Sequence, residues 1–240
     1  MLKDTLITIA SKVGKDTSTI FSEFLDYTIA QFNPSGEPLS TWPYAGNDEV
    51  NRLFFMGVLN LMREYNEGIT RHGWCDPHGE TFMSLLGKYD TQRNGVFFTP
   101  VDVSNLMAQL TDKSDSSSLT NCGAFGQRQL CGDPTCGSGR NLLSYAAKYA
   151  NKPRADLPYF IGEDIDEACV KMTAINLMAH GLPGEVICHN TLSEPDSLSI
   201  GYIINEGLFP FTGGLPSIRR FTDPNRFVLF RARSATKQQA

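Results

Sequence analysis

Apolar residues recur at helical spacing through the first third of the chain and at strand-like spacing in its second half. Ile20, Phe21, Phe24, Leu25, Ile29 and Phe32 fall at steps of three and four, which predicts a helix over 17–32. The run Asn33-Pro-Ser-Gly-Glu-Pro38 stops it. Val50, Leu53, Phe54, Val58, Leu61, Met62 and Tyr65 predict a second helix, with Asp48 and Glu49 at its positive end and Gly68 as its stop. Residues 1–90 therefore read as a helical annex. The segment 99–110 reads as a helix opened by Thr99 and Pro100, a good cap and first-turn pair. The stretch 111–121, rich in Ser and Asp, reads as a surface loop. From residue 128 the pattern alternates. A short strand before Asp133 leads into a Gly-rich turn and a helix. Over 158–181 a strand leads into an acidic turn and a helix closed by Gly181. Short strands follow at 184–190 and 201–205, and 226–233 is the last strand candidate. Strands alternating with helices predict an α/β fold with a parallel sheet.

Composition narrows the class. Apolar residues make up 41% and charged residues 20% of the 240, a globular balance with no run long enough to span a membrane. No secretory leader is evident at the N-terminus. Six cysteines are too few for a disulfide scaffold and lack the pairing of a zinc site, so no metal is expected and a cytoplasmic setting with reduced thiols is. The net charge of −5 is unevenly spread. Residues 217–240 carry six basic side chains against Asp223, a net +5 that leaves −10 for the rest. A basic segment on an acidic body hints at a polyanionic partner.

Two segments are candidates for chemistry. Asp133-Pro-Thr-Cys-Gly-Ser-Gly139 lies where a strand gives way to a helix. Gly137 and Gly139 allow positive φ and close approach of a ligand, and the helix beyond offers free N–H groups. The turn is neither a phosphate loop nor G-x-G-x-x-G. An acid before it repels phosphate and favours a ligand bearing an ammonium or sulfonium group. About thirty residues on, Gly162-Glu-Asp-Ile-Asp166 ends the next strand, where an acid can accept from ribose hydroxyls. Strand alternation turns only one of Glu163 and Asp164 into the crevice. Asp166 reads as a helix N-terminal acid. The four histidines offer no metal pair or general base and read as surface or cap residues.

These segments, with Phe97-Phe98-Thr99-Pro100 before them and Asn176 to Gly181 after, resemble the adenine-N6 DNA methyltransferases of the type I restriction-modification group. Asp76-Pro-His-Gly-Glu-Thr-Phe-Met-Ser-Leu-Leu86 resembles the lead-in of shorter, stand-alone members. The resemblance spans about 72–206. It implies a truncated Rossmann-like S-adenosylmethionine-dependent methyltransferase domain over 91–235, after the helical region 1–90 and before a tail at 236–240. It implies that Phe98, Thr99 and Pro100 border the methionine part of S-adenosylmethionine and that Asp133 faces its amino group. Thr135, Gly137 and Gly139 would line the chain, and Asp164 would hold the ribose. Asn190, in His-Asn-Thr-Leu192, stands where the family has an acid for the cofactor's adenine.

The family's catalytic Asn-Pro-Pro-aromatic loop corresponds to Asn205-Glu-Gly-Leu-Phe209. Asn205 matches, both prolines are lost, and Phe209 arrives one position late. In such a loop the Asn oxygen accepts from the adenine amine while the aromatic stacks on the flipped base. Asn205 as a plain strand-end turn residue is the competing reading. Few residues follow the loop, so a separate recognition domain is not expected. The implied function is methylation of adenine N6 in single- or double-stranded DNA with low sequence selectivity, in a bacterial, plasmid- or phage-borne protein that protects DNA from restriction. The alternative is a catalytically impaired cofactor-binding homologue serving as an interaction module, with the N-terminal helices open to a partner subunit.

Overall fold

The structure is a computed structural model, and it describes residues 2–36, 41–85, 98–111, 119–192, 199–208 and 214–231. Four helices form the N-terminal part: α1 (Leu2–Val13), α2 (Thr17–Gln31), α3 (Asp48–His72) and α4 (Pro77–Leu85). Asp16 caps α2 by accepting from the Thr19 N–H at 2.8 Å, and Asn47 caps α3 by accepting from Val50 N–H at 3.1 Å. The second helix runs past its expected stop. Gly68 lies inside α3, and Gly73, at φ 80°, closes it. Gly68 serves packing instead: a Cβ there would lie 2.5 Å from Cys75 Sγ.

Next comes α5 (Val101–Leu110), with Pro100 at its cap position and no side-chain cap bond, so Thr99 does not play the expected capping part. A small hairpin, β1 (Thr120–Asn121) and β2 (Gln127–Arg128), leads into the main sheet. That sheet comprises β3 (Leu130–Asp133), β4 (Tyr159–Asp164), β5 (Gly184–Cys188), β6 (Ile200–Ile204) and β7 (Ile218–Phe221), ordered β3-β4-β5-β6-β7. Helix α6 (Arg140–Ala146) links β3 to β4, and α7 (Glu167–Ala179) links β4 to β5. The result is a mixed α/β fold.

Two features depart from the expected parallel sheet. Pairing is parallel only from β3 to β5; β6 runs antiparallel to β5, and β7 antiparallel to β6. Only eleven residues join Cys188 to Ile200, whereas a parallel return needs a crossover of a dozen or more, usually a helix. The strand expected over 226–233 is also absent from the described part: Pro224–Arg226 form a 3-10 turn and 228–231 a helical turn, while the last strand is β7. Phe227 and Phe230 are apolar anchors of that segment rather than alternating strand positions, both buried. The Phe227 ring fills the space beside Gly201, where a Cβ would strike it.

Helix α7 is buried on nearly every side, because the sheet packs against one face and α2 against another. This is why its sequence lacks a polar stripe. The far face of the sheet holds Glu185, fully buried, whose carboxylate accepts from Val228 N–H and Leu229 N–H, both at 2.8 Å, and from the Tyr159 hydroxyl at 3.1 Å. Burial pushes its carboxyl up to about 7 despite these donors. A folded-state value above the unfolded one gives stability that is full below about 4.5 and lost as pH rises through 7. Between pH 5 and 7 this amounts to about 2 kcal/mol. His78 and His180 are pulled down by burial to about 3 and 4, so they contribute in the opposite sense, losing stability as pH falls below their unfolded value. The Glu185 contribution is therefore read as a difference: denaturant titrations should show wild type losing about 2 kcal/mol relative to Glu185→Gln from pH 5 to 7. Parallel profiles would refute it.

Candidate cofactor site and its surroundings

The three parallel strands end together, and their carboxyl edge is where open α/β sheets take ligands. Asp133 ends β3; its carboxylate accepts from the Thr135 N–H and from Asn141 Nδ2, both at 3.1 Å, which folds the following turn back over the strand. Gly137 and Gly139 both have positive φ, 55° and 87°. A Cβ on Gly137 would lie 3.0 Å from the Phe98 ring, and one on Gly139 3.0 Å from Thr173. The turn is thus pressed between the Phe98–Thr99 segment and α7. Thr173 Oγ1 donates to the Gly137 carbonyl at 2.8 Å, and Asn176 Nδ2 to that of Ser138 at 2.6 Å. The carbonyls face inward as a result.

Asp164, at the end of β4, accepts from the Gly137 N–H at 2.9 Å and the Asp166 N–H at 3.0 Å. Each of its oxygens keeps a second lone pair for a ligand hydroxyl. Strand alternation sends Glu163 to the other face, where it accepts from His189 Nε2 at 2.5 Å. Asp166 caps α7 by accepting from Ala168 N–H at 2.7 Å. Asn190 lies on the exposed loop after β5, at the same edge, its Oδ1 accepting from Leu192 N–H at 3.0 Å. Phe98, Thr99, Thr135, Cys136, Gly137, Ser138, Arg140 and Asn141 line a small cleft of about 30 Å³. Pockets that swallow a whole ligand run to roughly 300–1,000 Å³. The cleft is far smaller than that, a niche on the strand edge that also carries Asp164 and Asn190.

Behind the turn stands a buried polar network that the sequence reading did not identify. Asp76 is 2% exposed and caps α4, accepting from Gly79 N–H at 2.8 Å. The same carboxylate accepts from Ser138 Oγ at 2.6 Å, Arg140 Nε at 2.7 Å and Asn176 Nδ2 at 2.8 Å. Arg140 in turn lies over the Phe98 ring, 5.7 Å from its centre. Asn176 Oδ1 accepts from the Tyr65 hydroxyl. Because that single proton is spent on Asn176, Nδ1 of His78, 2.8 Å from the Tyr65 oxygen, carries the hydrogen and donates to it. One chain of bonds therefore runs from α3 through α4 and α7 to the turn. Its only sequence signal was Asp76-Pro77, a cap residue followed by proline, together with the polar Asn176 in an otherwise apolar helix.

Two of the four histidines differ from their expected surface or cap character, while His72 is exposed and His180 stands at the C-cap of α7. His78 is fully buried inside α4, and His189 is buried against Glu163 and the edge of Phe230. His180 does act as a cap group, with Cys75 N–H donating to its Nε2 at 3.2 Å. Among the described residues no group of three or more His, Cys, Asp or Glu side chains is arranged to hold a metal, and no helix is long and apolar enough to cross a membrane. Burial pushes the Cys75 and Cys131 thiols up to about 12.

Of the two residues expected to grip the target base, only Asn205 is among the described residues, and it does not lie beside this edge. Phe209 lies outside the described residues. Asn205 follows Ile204, which pairs with Gly184 at the start of β5, not its end. The length of β5 puts it roughly 13 Å from the carboxyl edge. Its side chain is fully buried and fully used. Nδ2 donates to the carbonyls of Leu177, Met178 and Leu182 at 3.3, 3.3 and 2.9 Å, and Oδ1 accepts from Ser217 N–H at 3.1 Å. Its φ of 61° is the only positive value at a non-glycine residue among those described, a conformation asparagine tolerates better than most.

Compared with known proteins, the chain matches no curated protein and no solved structure. It does match the family model for N-6 DNA methylase, over residues 76–206. That stretch begins at the Asp76 cap, takes in the Asp133–Gly139 turn and the Asp164 acid, and ends just past β6. It is more than half of the chain, and on that footing the protein belongs to the N-6 DNA methylase family.

Proposed function

We propose that the protein binds S-adenosylmethionine along the carboxyl edge of β3–β5 and methylates adenine N6 in DNA with low sequence selectivity, a use suited to protecting DNA from restriction. The supporting observation is the pair of acids tied to one Gly-rich turn, Asp133 through Thr135 and Asp164 through Gly137. The donor set fits the cofactor. Asp133 and Asp164 favour a cationic ligand, the spare lone pairs of Asp164 suit ribose hydroxyls, and Asn190 offers an amide to adenine. Phe98, Thr99 and Pro100 border the methionine end, with Gly139 letting the chain pass close to the backbone. When bound, the cofactor would supply an electrophilic methyl group on a sulfonium. The protein's own part is to orient it and to shield the cleft from water with the Phe98 ring.

A second reading is favoured by one observation, the burial of Asn205 away from this edge. In it the protein binds the cofactor but transfers no methyl, and serves as an interaction module. Transfer of labelled methyl to single- and double-stranded DNA, with calorimetric cofactor binding on the same preparation, separates the two. The first reading expects label on adenine N6. Tight binding without transfer would select the second, and absence of cofactor binding would sink both.

A further inference from the structure

We propose that the groove between α2 and β7 is a docking site for the DNA backbone; this rests on the DNA reading above and goes on to name the surface. The groove is walled by α2 on one side and by Ile218–Phe221 with Arg226 on the other. Three arginines line it, and their states differ. Arg219 is paired with Glu206 at 3.0 Å. Arg226 is exposed and lies over the Phe221 ring, 5.5 Å from its centre. Arg220 is exposed, and its guanidinium makes no hydrogen bond or ion pair with any described residue. The acids in the groove are already satisfied. Asp26 holds Lys171 at 2.6 Å, and Asp223 accepts from Asn225 N–H and Nδ2 at 3.0 and 3.1 Å. The lining sets three arginines against Asp26 and Asp223, with Glu206 paired to Arg219, so its charge is close to balanced on a chain whose residues 1–216 carry −10. A polyanion is repelled less here than over the acidic remainder, and the exposed guanidinium of Arg220 offers it donors.

Position relates this groove to the cofactor edge. Phe221 pairs with Gly201, next to Ile200, which pairs with Cys188 at the carboxyl end of β5. The Phe221–Arg226 end of the groove thus opens on the same edge as Asp133, Asp164 and Asn190. Four strand spacings separate β3 from β7, about 19 Å, the rise of roughly six base pairs. DNA lying along that edge touches the arginines with its phosphates while a base a half-turn away reaches the cofactor. Guanidinium–phosphate contacts carry no sequence information, so the surface contributes affinity without selectivity.

The test is binding of fluorescent 30-mer DNA, duplex and single-stranded, to the full chain across a salt series. Wild type is compared with Arg220→Ala, Arg226→Ala, the double variant, and Arg71→Ala as an exposed arginine remote from the groove. Each groove variant should weaken binding equally for unrelated sequences and flatten the plot of log affinity against log salt by about one. Calorimetric cofactor binding should stay unchanged, as should DNA binding by Arg71→Ala. A double variant with the wild-type slope, while wild type binds DNA, overturns the groove and leaves the DNA reading standing. Failure of wild type to bind either DNA form overturns both.

Discussion

Asp76→Ala is expected to destabilise the protein by about 3–5 kcal/mol, because it strips four donors of one buried acceptor group. Ser138 Oγ, Arg140 Nε, Asn176 Nδ2 and Gly79 N–H all converge on this carboxylate. Arg140 is the costliest of the four, since its side chain is only 12% exposed and its charge would lose its counter-ion. The effect should reach the cofactor turn as well, because Ser138 lies within it and Arg140 sits over Phe98. Asp76→Asn keeps the volume and one good acceptor, and should cost less in stability. Denaturant unfolding gives the first quantity, and calorimetry of cofactor binding on folded Asp76→Asn the second. A loss below about 1 kcal/mol for Asp76→Ala, the ordinary value of one hydrogen bond, would mean that the network does not hold the turn.

That network marks where the sequence ceased to be legible. Helices α2 and α3 were readable because their apolar residues repeat at steps of three and four. The Asp133–Gly139 turn and the acids at 163–164 were readable because their residue types are constrained by chemistry close along the chain. Asp76 and Asn176 are a hundred residues apart, and nothing local in either says that they meet. Gly68 and Gly73 are equally plausible helix stops in sequence; only the contact with Cys75 decides between them. The direction of β6 was misjudged although its cause was present: eleven residues with no helical pattern between 188 and 200 cannot easily carry the chain back to the sheet's other end. Residues 226–233 alternate weakly, and tertiary packing of Phe227 on Gly201 with capping by Glu185 turned the described part, 226–231, into helical turns instead. The family resemblance drew attention to Asn205 through its neighbours in sequence, whereas strand direction determines which neighbours it has in space.

Asn205→Asp is expected to destabilise by several kcal/mol at pH 7, comparable to the loss of Asp76. The amide nitrogen serves three carbonyl oxygens that end α7 and begin the turn into β5. An aspartate puts a second oxygen where those three oxygens point. Ionised, it is a buried charge surrounded by acceptors; protonated, it offers one hydrogen for three partners. Burial among carbonyls raises the folded-state value of such a carboxyl above its unfolded value. The variant therefore keeps most stability at low pH and loses it as pH rises through the raised value. Asn205→Ala lacks this pH dependence and should cost about 2–3 kcal/mol, from the lost bonds and from placing alanine at a positive φ. In both variants the cofactor edge, roughly 13 Å away, should bind its ligand normally wherever the protein remains folded. Unfolding curves from pH 5 to 8 with parallel calorimetry provide the check. If Asn205→Ala instead unfolded like wild type and lost methyl transfer with cofactor binding intact, Asn205 would be acting on the acceptor base, and its burial under α7 could not describe the working enzyme.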